Sequence, residues 1–348
     1  MDYGGIERGV YDFSLTAAKA GHQIIIASGN GRFIPPLLAN GIRWYDVPMD
    51  RKNPATFIRA TKTLQEIISR EKPDVIHAQS RFPCWIVHHV LKYGRHVPFV
   101  TSIHSFCPFR LYTRSLGKGD RVIVVSKILG EYAARFLRIP EEKIRLVYNG
   151  VSVDDFFSEK QEEHAIPVIG MISRFTASKG QVLFIEAIHM LIRDRFNING
   201  LIVGSGSPSQ RGKIERQIAA KALEKCIAIV SEDSTIALKK IDILVVPSVE
   251  PEGFGRTVVE AQMAGVPVVA TGIGAIPELI EHGRTGFLVR PRNPADIADA
   301  VKWIISNPSE TKMIVENARE NALSRFTVER MVSGILEVYQ EAISLKNS

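Results

Sequence analysis

Glu252 and Glu260 lie in the stretch PSVEPEGFGRTVVEAQMAG, residues 247–265, with seven residues between them. The apolar run DILVV precedes this stretch and VPVVAT follows its last glycine. It therefore reads as buried strand, Gly-rich loop, a helix from about Thr257 that ends at Gly265, and a second strand. A Gly-rich loop entering a helix leaves backbone amides without partners at the helix N-terminus, and an anion such as phosphate is favoured there. Gly253 and Gly255 allow a ligand close to the backbone. Carboxylates do not bind phosphate, so Glu252 on the loop and Glu260 in the first helical turn would accept hydrogen bonds from neighbouring hydroxyls. Amides for phosphate beside acceptors for hydroxyls suit a sugar nucleotide. A purely structural reading stands beside this one, because Thr257-Val-Val-Glu260 also has the capping-box pattern, which needs no ligand.

Two further groups point the same way. Arg174 and Lys179, with Gly180 next, fall in the segment RFTASKG that follows the apolar run IPVIGMIS. Arg with its planar fork and Lys as a point charge can neutralise a diphosphate. The pair Gly204 and Gly206 forms a turn in INGLIVGSG, after another apolar run. Loops at the carboxyl ends of parallel strands face the ligand crevice in doubly wound sheets. Any one of these basic residues could equally be a solvated loop residue; three signals at strand carboxyl ends favour a site.

The elements that must position these residues alternate along the chain. At the start, GGIERGVYDFSLTAAKAG is a Gly-Gly turn and an amphipathic helix with Ile6, Val10, Phe13 and Ala17 on one face. The paired Gly4 and Gly5 suggest a second helix end facing phosphate. QIIIAS, IRWYDVP, PDVIHAQ, VPFVTSIH, RVIVVS and KIRLVYNGV read as strands, with helices over 54–70 and 127–137. SRFPCW, residues 80–85, reads as a loop leading into a helix through Leu91, and SFCPFRLYTR beyond His104 as an aromatic, basic loop. The polar segment 155–165 marks a boundary. A second alternation follows, with helices over 181–193, 208–223, 294–306, 308–323 and 326–345. Such alternation implies α/β units with parallel sheets covered on both faces. The predicted domains are 1–155, 156–325 and a last helix, 326–348, crossing back toward the first. The cleft between two such units is the default ligand site. A doubly wound domain normally feeds its Gly-rich turn from a central strand, so the first sheet is expected without its opening strand.

The totals narrow the function classes. The chain has 348 residues and a net charge of +7, and its three cysteines, Cys84, Cys107 and Cys226, form no CxxC. Neither a disulfide framework nor a zinc site is indicated, which suits a reducing cytoplasm. No apolar run has the length of a membrane span. Residues 1–155 hold 22 of the 44 basic residues and 14 of the 37 acidic ones, a balance of +8 against −1 for the remainder. An acidic partner is therefore expected on the first half. No nucleic-acid motif or base-stacking surface accompanies the charge.

Taken together, GGIERG, His104 at a strand end, YNGVSVDDF, ISRFTASKG, VGSG, EPEGFGRTVVEAQMAGVPVVAT and GRTGFLV resemble the retaining glycosyltransferases of the GT-B fold. The resemblance is to family four, glycosyl transferases group 1, and spans almost the whole chain. It implies two Rossmann-like doubly wound domains facing a deep cleft, and transfer of a sugar from a UDP-, GDP- or ADP-linked donor without metal or other cofactor. Arg174 and Lys179 would hold the diphosphate, and Glu260 the ribose. Glu252, with Gly253, Phe254, Gly255, Arg256 and Thr257, would orient the donor sugar; Gly204 and Gly206 would line the donor site. Gly4 and Gly5 would cap the diphosphate and His104 would face the sugar. Ser231 and Glu232 would lie near the base. SRFPCW and the loop after His104 resemble lipopolysaccharide-core and envelope-polysaccharide members. Arg81, Arg110 and Arg114 are the candidates for an anionic glycan or glycolipid acceptor, with the protein cytoplasmic and peripheral on an anionic inner-membrane face. A sugar-nucleotide epimerase of the same fold and a non-catalytic binding remnant are the alternatives.

Overall fold

The computed structural model describes residues 4–49, 53–94, 97–107, 111–156 and 164–347. In chain order the first elements are α1 (Gly5–Lys19), β1 (Ile25–Ser28), α2 (Ile34–Ala39), β2 (Arg43–Asp46), α3 (Pro54–Glu71), β3 (Ile76–Gln79), α4 (Arg81–Tyr93), β4 (Phe99–Ile103), a 3₁₀ segment (Leu111–Lys118), β5 (Arg121–Val124), α5 (Lys127–Arg135) and β6 (Ile144–Leu146). There follow α6 (Val153–Phe156), β7 (Val168–Ile172), a 3₁₀ turn (Ala177–Lys179), α7 (Gln181–Arg193), β8 (Asn199–Val203), α8 (Pro208–Ala219), β9 (Ile227–Val230), α9 (Ser234–Ala237) and β10 (Ile243–Val246). The last are α10 (Arg256–Ala264), β11 (Val268–Thr271), α11 (Ile276–Leu279), β12 (Phe287–Val289), α12 (Pro294–Ser306), α13 (Pro308–Arg325) and α14 (Val328–Asn347).

The chain forms two compact units, one of residues 1–151 with 326–348, the other of 152–325. Residues 152–155, expected with the first domain, fall in the second, where α6 packs on α10. The second unit holds one parallel sheet in the order β12-β11-β10-β7-β8-β9, the doubly wound arrangement. Its strands are short Val/Ile runs because helices cover both faces. Phe184, Ile185 and Ile188 of α7 and Val301 of α12 fill the core against Ile202 and Val269.

In the first unit every strand pairing is again parallel, but the strands fall into two sheets, β1-β2 and β3-β4-β5-β6. No described strand joins β1 to β3. Both sheets are held to one apolar cluster, in which Ile24 and Val75 pack against Phe13, Ala17 and Val100 with Val332 and Ile335 of α14. Glu341 of α14 ties the same helix to two strands, accepting from Arg121 Nε at 2.6 Å and Arg145 Nε at 2.9 Å.

The local boundaries differ from expectation in three places. Residues 81–85 are helical, so α4 begins directly after β3. Pro83 is tolerated because it occupies the first turn, where its missing N–H has no intrahelical partner to lose. The loop beyond His104 contains the 3₁₀ segment Leu111–Lys118 packed on α4. Residues 34–39 form a helix that begins with two prolines, Pro35 and Pro36, in its first turn and has no sequence period long enough to announce it.

Candidate functional site

In the second unit, the carboxyl ends of β7 and β10 are drawn together by backbone contact. Gly180 ends the 3₁₀ turn after β7 with φ +76°, and a Cβ there would lie 1.9 Å from the Pro247 carbonyl oxygen at the end of β10. Next to it, Val249 N donates to Ser178 O at 2.8 Å. This approach places Lys179 beside Glu252: Nζ donates to Oε1 at 2.5 Å. Ser248 Oγ donates to the same oxygen at 2.5 Å, and Ser248 is itself buried. One carboxylate oxygen thus carries both a cation and a hydroxyl. Arg174 stands exposed in the same loop and its guanidinium has no partner among the described residues. Its carbonyl is fixed by Gln181 Nε2 at 2.8 Å.

Gly180→Ala is expected to separate these loops. The new methyl cannot fit against Pro247, and the residue would also sit in a left-handed conformation. Loss on the order of 2 kcal/mol from the second unit follows. A denaturant midpoint equal to that of the parent would contradict the close approach.

The Glu252 backbone is held from the other side. Ala275 N donates to Glu252 O at 2.9 Å, and a Cβ on Gly274 would lie 2.4 Å from both Glu252 N and O. Gly255, at φ +106°, is the N-cap of α10, and no side chain caps that helix. The capping-box reading is thereby excluded: α10 starts at Arg256, one residue before the expected start, and Thr257 lies inside it. Glu260 instead accepts from Arg256 Nε at 2.8 Å, one turn away, and is 5% exposed. Its second oxygen receives no hydrogen bond from the described residues. Phe254 is packed in the core, so its side chain is not at the surface, and Gly253 is buried beside it.

Gly204 and Gly206 lie in the turn after β8, which is bound to the loop after β7 through Phe175 N to Ser205 O at 2.8 Å. Ser231 Oγ donates to Gly204 O at 2.7 Å, and Glu232 pairs with Lys240 Nζ at 2.7 Å. The three strand-end groups are therefore gathered along one edge of one sheet. Sequence reasoning missed Ser248, Gln181 and Gly274. Only Gly274, in the turn GIGA, carried a visible signal.

In the first unit, Gly4 is the N-cap of α1, which also has no side-chain cap, and Gly5 is its first residue. His104 follows β4. Its Nε2 has no hydrogen-bond partner among the described residues and is shielded from solvent by them. Burial lowers its pKa to about 4, so it is neutral near neutral pH. His77 has a structural place: Nδ1 lies 2.8 Å from Tyr339 Oη of α14 and Nε2 2.6 Å from Ser102 Oγ. Burial, with His104 nearby, lowers its pKa to about 3. Arg81 opens α4, its guanidinium 5.5 Å from the centre of the Tyr112 ring, and Arg114 is exposed on the 3₁₀ segment. Arg110 lies outside the described residues.

Residues 153–321 match the family model for glycosyl transferases group 1, and residues 3–155 that for glycosyltransferase family 4. The chain is 30% identical over 312 residues to the uncharacterized glycosyltransferase MJ1607 of Methanocaldococcus jannaschii, covering 80% of this chain and 78% of that protein. It is 23% identical over 351 residues to the N-acetyl-alpha-D-glucosaminyl L-malate synthase of Bacillus anthracis, covering 94% and 91%. Among solved structures, a glycosyltransferase from Rickettsia africae ESF-5 superposes with a TM-score of 0.89 at 29% identity, covering 100% of this chain and 98% of that one. Anabaena Alr3699/HepE, in complex with UDP-glucose, shares the fold, with a TM-score of 0.86 at 21% identity over 97% and 96%.

Proposed function

The chain belongs to the group 1, family 4 glycosyltransferases and is a transferase with the GT-B fold, and from that premise we propose that it transfers a sugar, with retention and without a metal ion, from a nucleotide sugar to an anionic envelope glycan or glycolipid. The observation that carries the reading is the Lys179–Glu252 pair beside the uncapped N-terminus of α10 and the exposed Arg174.

The reaction breaks the bond from the donor's anomeric carbon to the diphosphate and forms one to an acceptor hydroxyl oxygen. The bonding electrons leave with the diphosphate, and the acceptor proton passes to it on the same face. Charge on the leaving group grows as the bond breaks. The cation of Lys179, held by Glu252, and that of Arg174, with the amides of α10, would stabilise that growing charge more than the bound donor. These two side chains would take the part a metal ion plays elsewhere. Glu252, oriented by Ser248 and Lys179, would accept from donor-sugar hydroxyls, and the open oxygen of Glu260 from the ribose. In the first unit the α1 N-terminus at Gly4 and Gly5 would suit a phosphate, and His104 is a neutral imidazole.

HepE, which shares this fold, was crystallised with UDP-glucose, which supports a nucleotide-sugar donor here. The positive balance of residues 1–155 supports an anionic acceptor at a cytoplasmic membrane face. The test is release of nucleoside diphosphate across a panel of nucleotide sugars with EDTA present. Turnover of one donor with net retention identifies the sugar and supports the reading. Formation of an epimerised nucleotide sugar would replace it with the epimerase reading. Activity restored only by added divalent metal would remove the metal-independent part, and tight nucleotide binding without turnover, acceptors included, would leave a binding protein.

A further inference from the structure

From Val75 to Gly119 the sequence contains no Asp or Glu, yet six Lys and Arg. The first part of α3, residues 54–65, also lacks acidic residues and carries Arg59 and Lys62. These stretches are brought onto one part of the first unit, because α3 packs on α4 and α4 packs on the 3₁₀ segment Leu111–Lys118. The same surface exposes large apolar side chains. Ile58 is 56% exposed, Trp85 38% and Tyr93 68%. Trp85 and Tyr93 belong to a continuous row. Phe57 of α3 lies 4.3 Å from Trp85, ring centre to ring centre, and 5.1 Å from His89; His89 lies 5.1 Å from Tyr93. A cation lies at one end of the row: Lys92 Nζ stands 5.1 Å from the centre of the Tyr93 ring. Burial first, then the Lys118 and Lys92 charges, lowers the pKa of His88 between them.

We propose that this surface of α3, α4 and the 3₁₀ segment docks on an anionic phospholipid bilayer. A single exposed apolar residue needs no explanation, but an aromatic row at the surface, with Lys92 at its end and built from stretches that carry Lys and Arg but no carboxylate, does. Trp and Tyr place an apolar ring against the acyl boundary and a polar tip among headgroups. Lys and Arg beside them are attracted by anionic lipid. An acidic protein partner would match the charge and the rings too, and absence of vesicle binding would favour it. No helix among the described residues is long and apolar enough to cross a membrane, so this contact lies at the lipid surface. It deepens the reading of an acceptor at the membrane face, and its test needs no turnover, so the two readings fail separately.

The experiment is co-sedimentation of the full chain with phosphatidylcholine vesicles, with and without phosphatidylglycerol. Binding is expected only to the anionic vesicles, and is lost as added salt shortens the Debye length from about 10 Å at 0.1 M to about 3 Å at 1 M. Lys92→Glu combined with Lys118→Glu should lower the vesicle partition coefficient about tenfold or more, with nucleoside diphosphate release from the donor unchanged. Brominated lipid should quench the tryptophan fluorescence of the parent, and Trp85→Phe should abolish that quenching while remaining folded. Equal binding to neutral vesicles, no binding to either, or quenching that survives Trp85→Phe would overturn the proposal. So would concentration-dependent dimerisation lost in the same variants, which would assign the surface to a second copy.

Discussion

Lys179→Ala lowers turnover about 10²–10³-fold, the loss typical of removing one fixed donor to a developing anion. The Nζ position is set by backbone, not by the side chain's own preference: the 3₁₀ turn ends at Gly180, which is seated against the Pro247 carbonyl, and Val249 N binds the Ser178 carbonyl. Removing the amine therefore leaves the loop in place, and the fold is retained. The effect should fall on kcat, because the charge on the diphosphate grows in the transition state. Lys179→Arg should restore part of the loss, since it keeps the cation but changes its geometry. Steady-state kinetics with the preferred donor is the measurement, and full activity in Lys179→Ala would remove the diphosphate assignment.

Glu252→Ala is the second large loss, about 10²-fold or more, for a different reason. The carboxylate accepts from both Lys179 and Ser248 through one oxygen, which leaves the other for a donor hydroxyl. Losing it would remove the proposed acceptor to the sugar and free Lys179 from its tether. Leaving a part-buried polar partner without its mate costs on the order of 1–3 kcal/mol. The two single losses should accordingly not add: the Lys179→Ala, Glu252→Ala double variant is expected to be less impaired than the product of the singles. Strict additivity in that cycle would show that the pair acts as two independent groups.

The strands were readable because parallel strands buried on both faces must be continuous apolar runs, and IPVIGMIS, DILVV and VPVVAT are such runs. The α4 start was hidden by Pro83, which reads as a breaker unless it falls in the first turn. At α10, Thr257 carried a capping pattern that the fold does not use, because a glycine two residues earlier, Gly255, takes the left-handed cap position. Individual candidate residues were legible from their chemistry at strand ends. Their pairing was not: Lys179 and Glu252 are 73 positions apart, and only the Gly180 approach to Pro247 decides that they touch. Ser248 and Gly274 went unseen for the same reason. Each matters through the backbone or carboxylate it holds, which a residue's own type does not reveal.

The division of the first unit's strands into β1-β2 and β3-β4-β5-β6 has a mechanical meaning. A hydrogen-bond ladder is the part of a sheet that resists shear and carries load along the backbone. The second unit has such a ladder across all six strands, so a push on the turn after β7 is shared by β10 and β8 alike. Among the described residues of the first unit no ladder crosses from β1 to β3, and the join is made by side chains, through Ile24 and Val75 on the α1 and α14 cluster and through Arg43 and Tyr45 of β2 bonded to Glu71 of α3. Side chains slide where ladders do not. The segment bearing α1 and β1 is thus a compliant mount for Gly4 and Gly5, while His104 rides on the stiff four-stranded block.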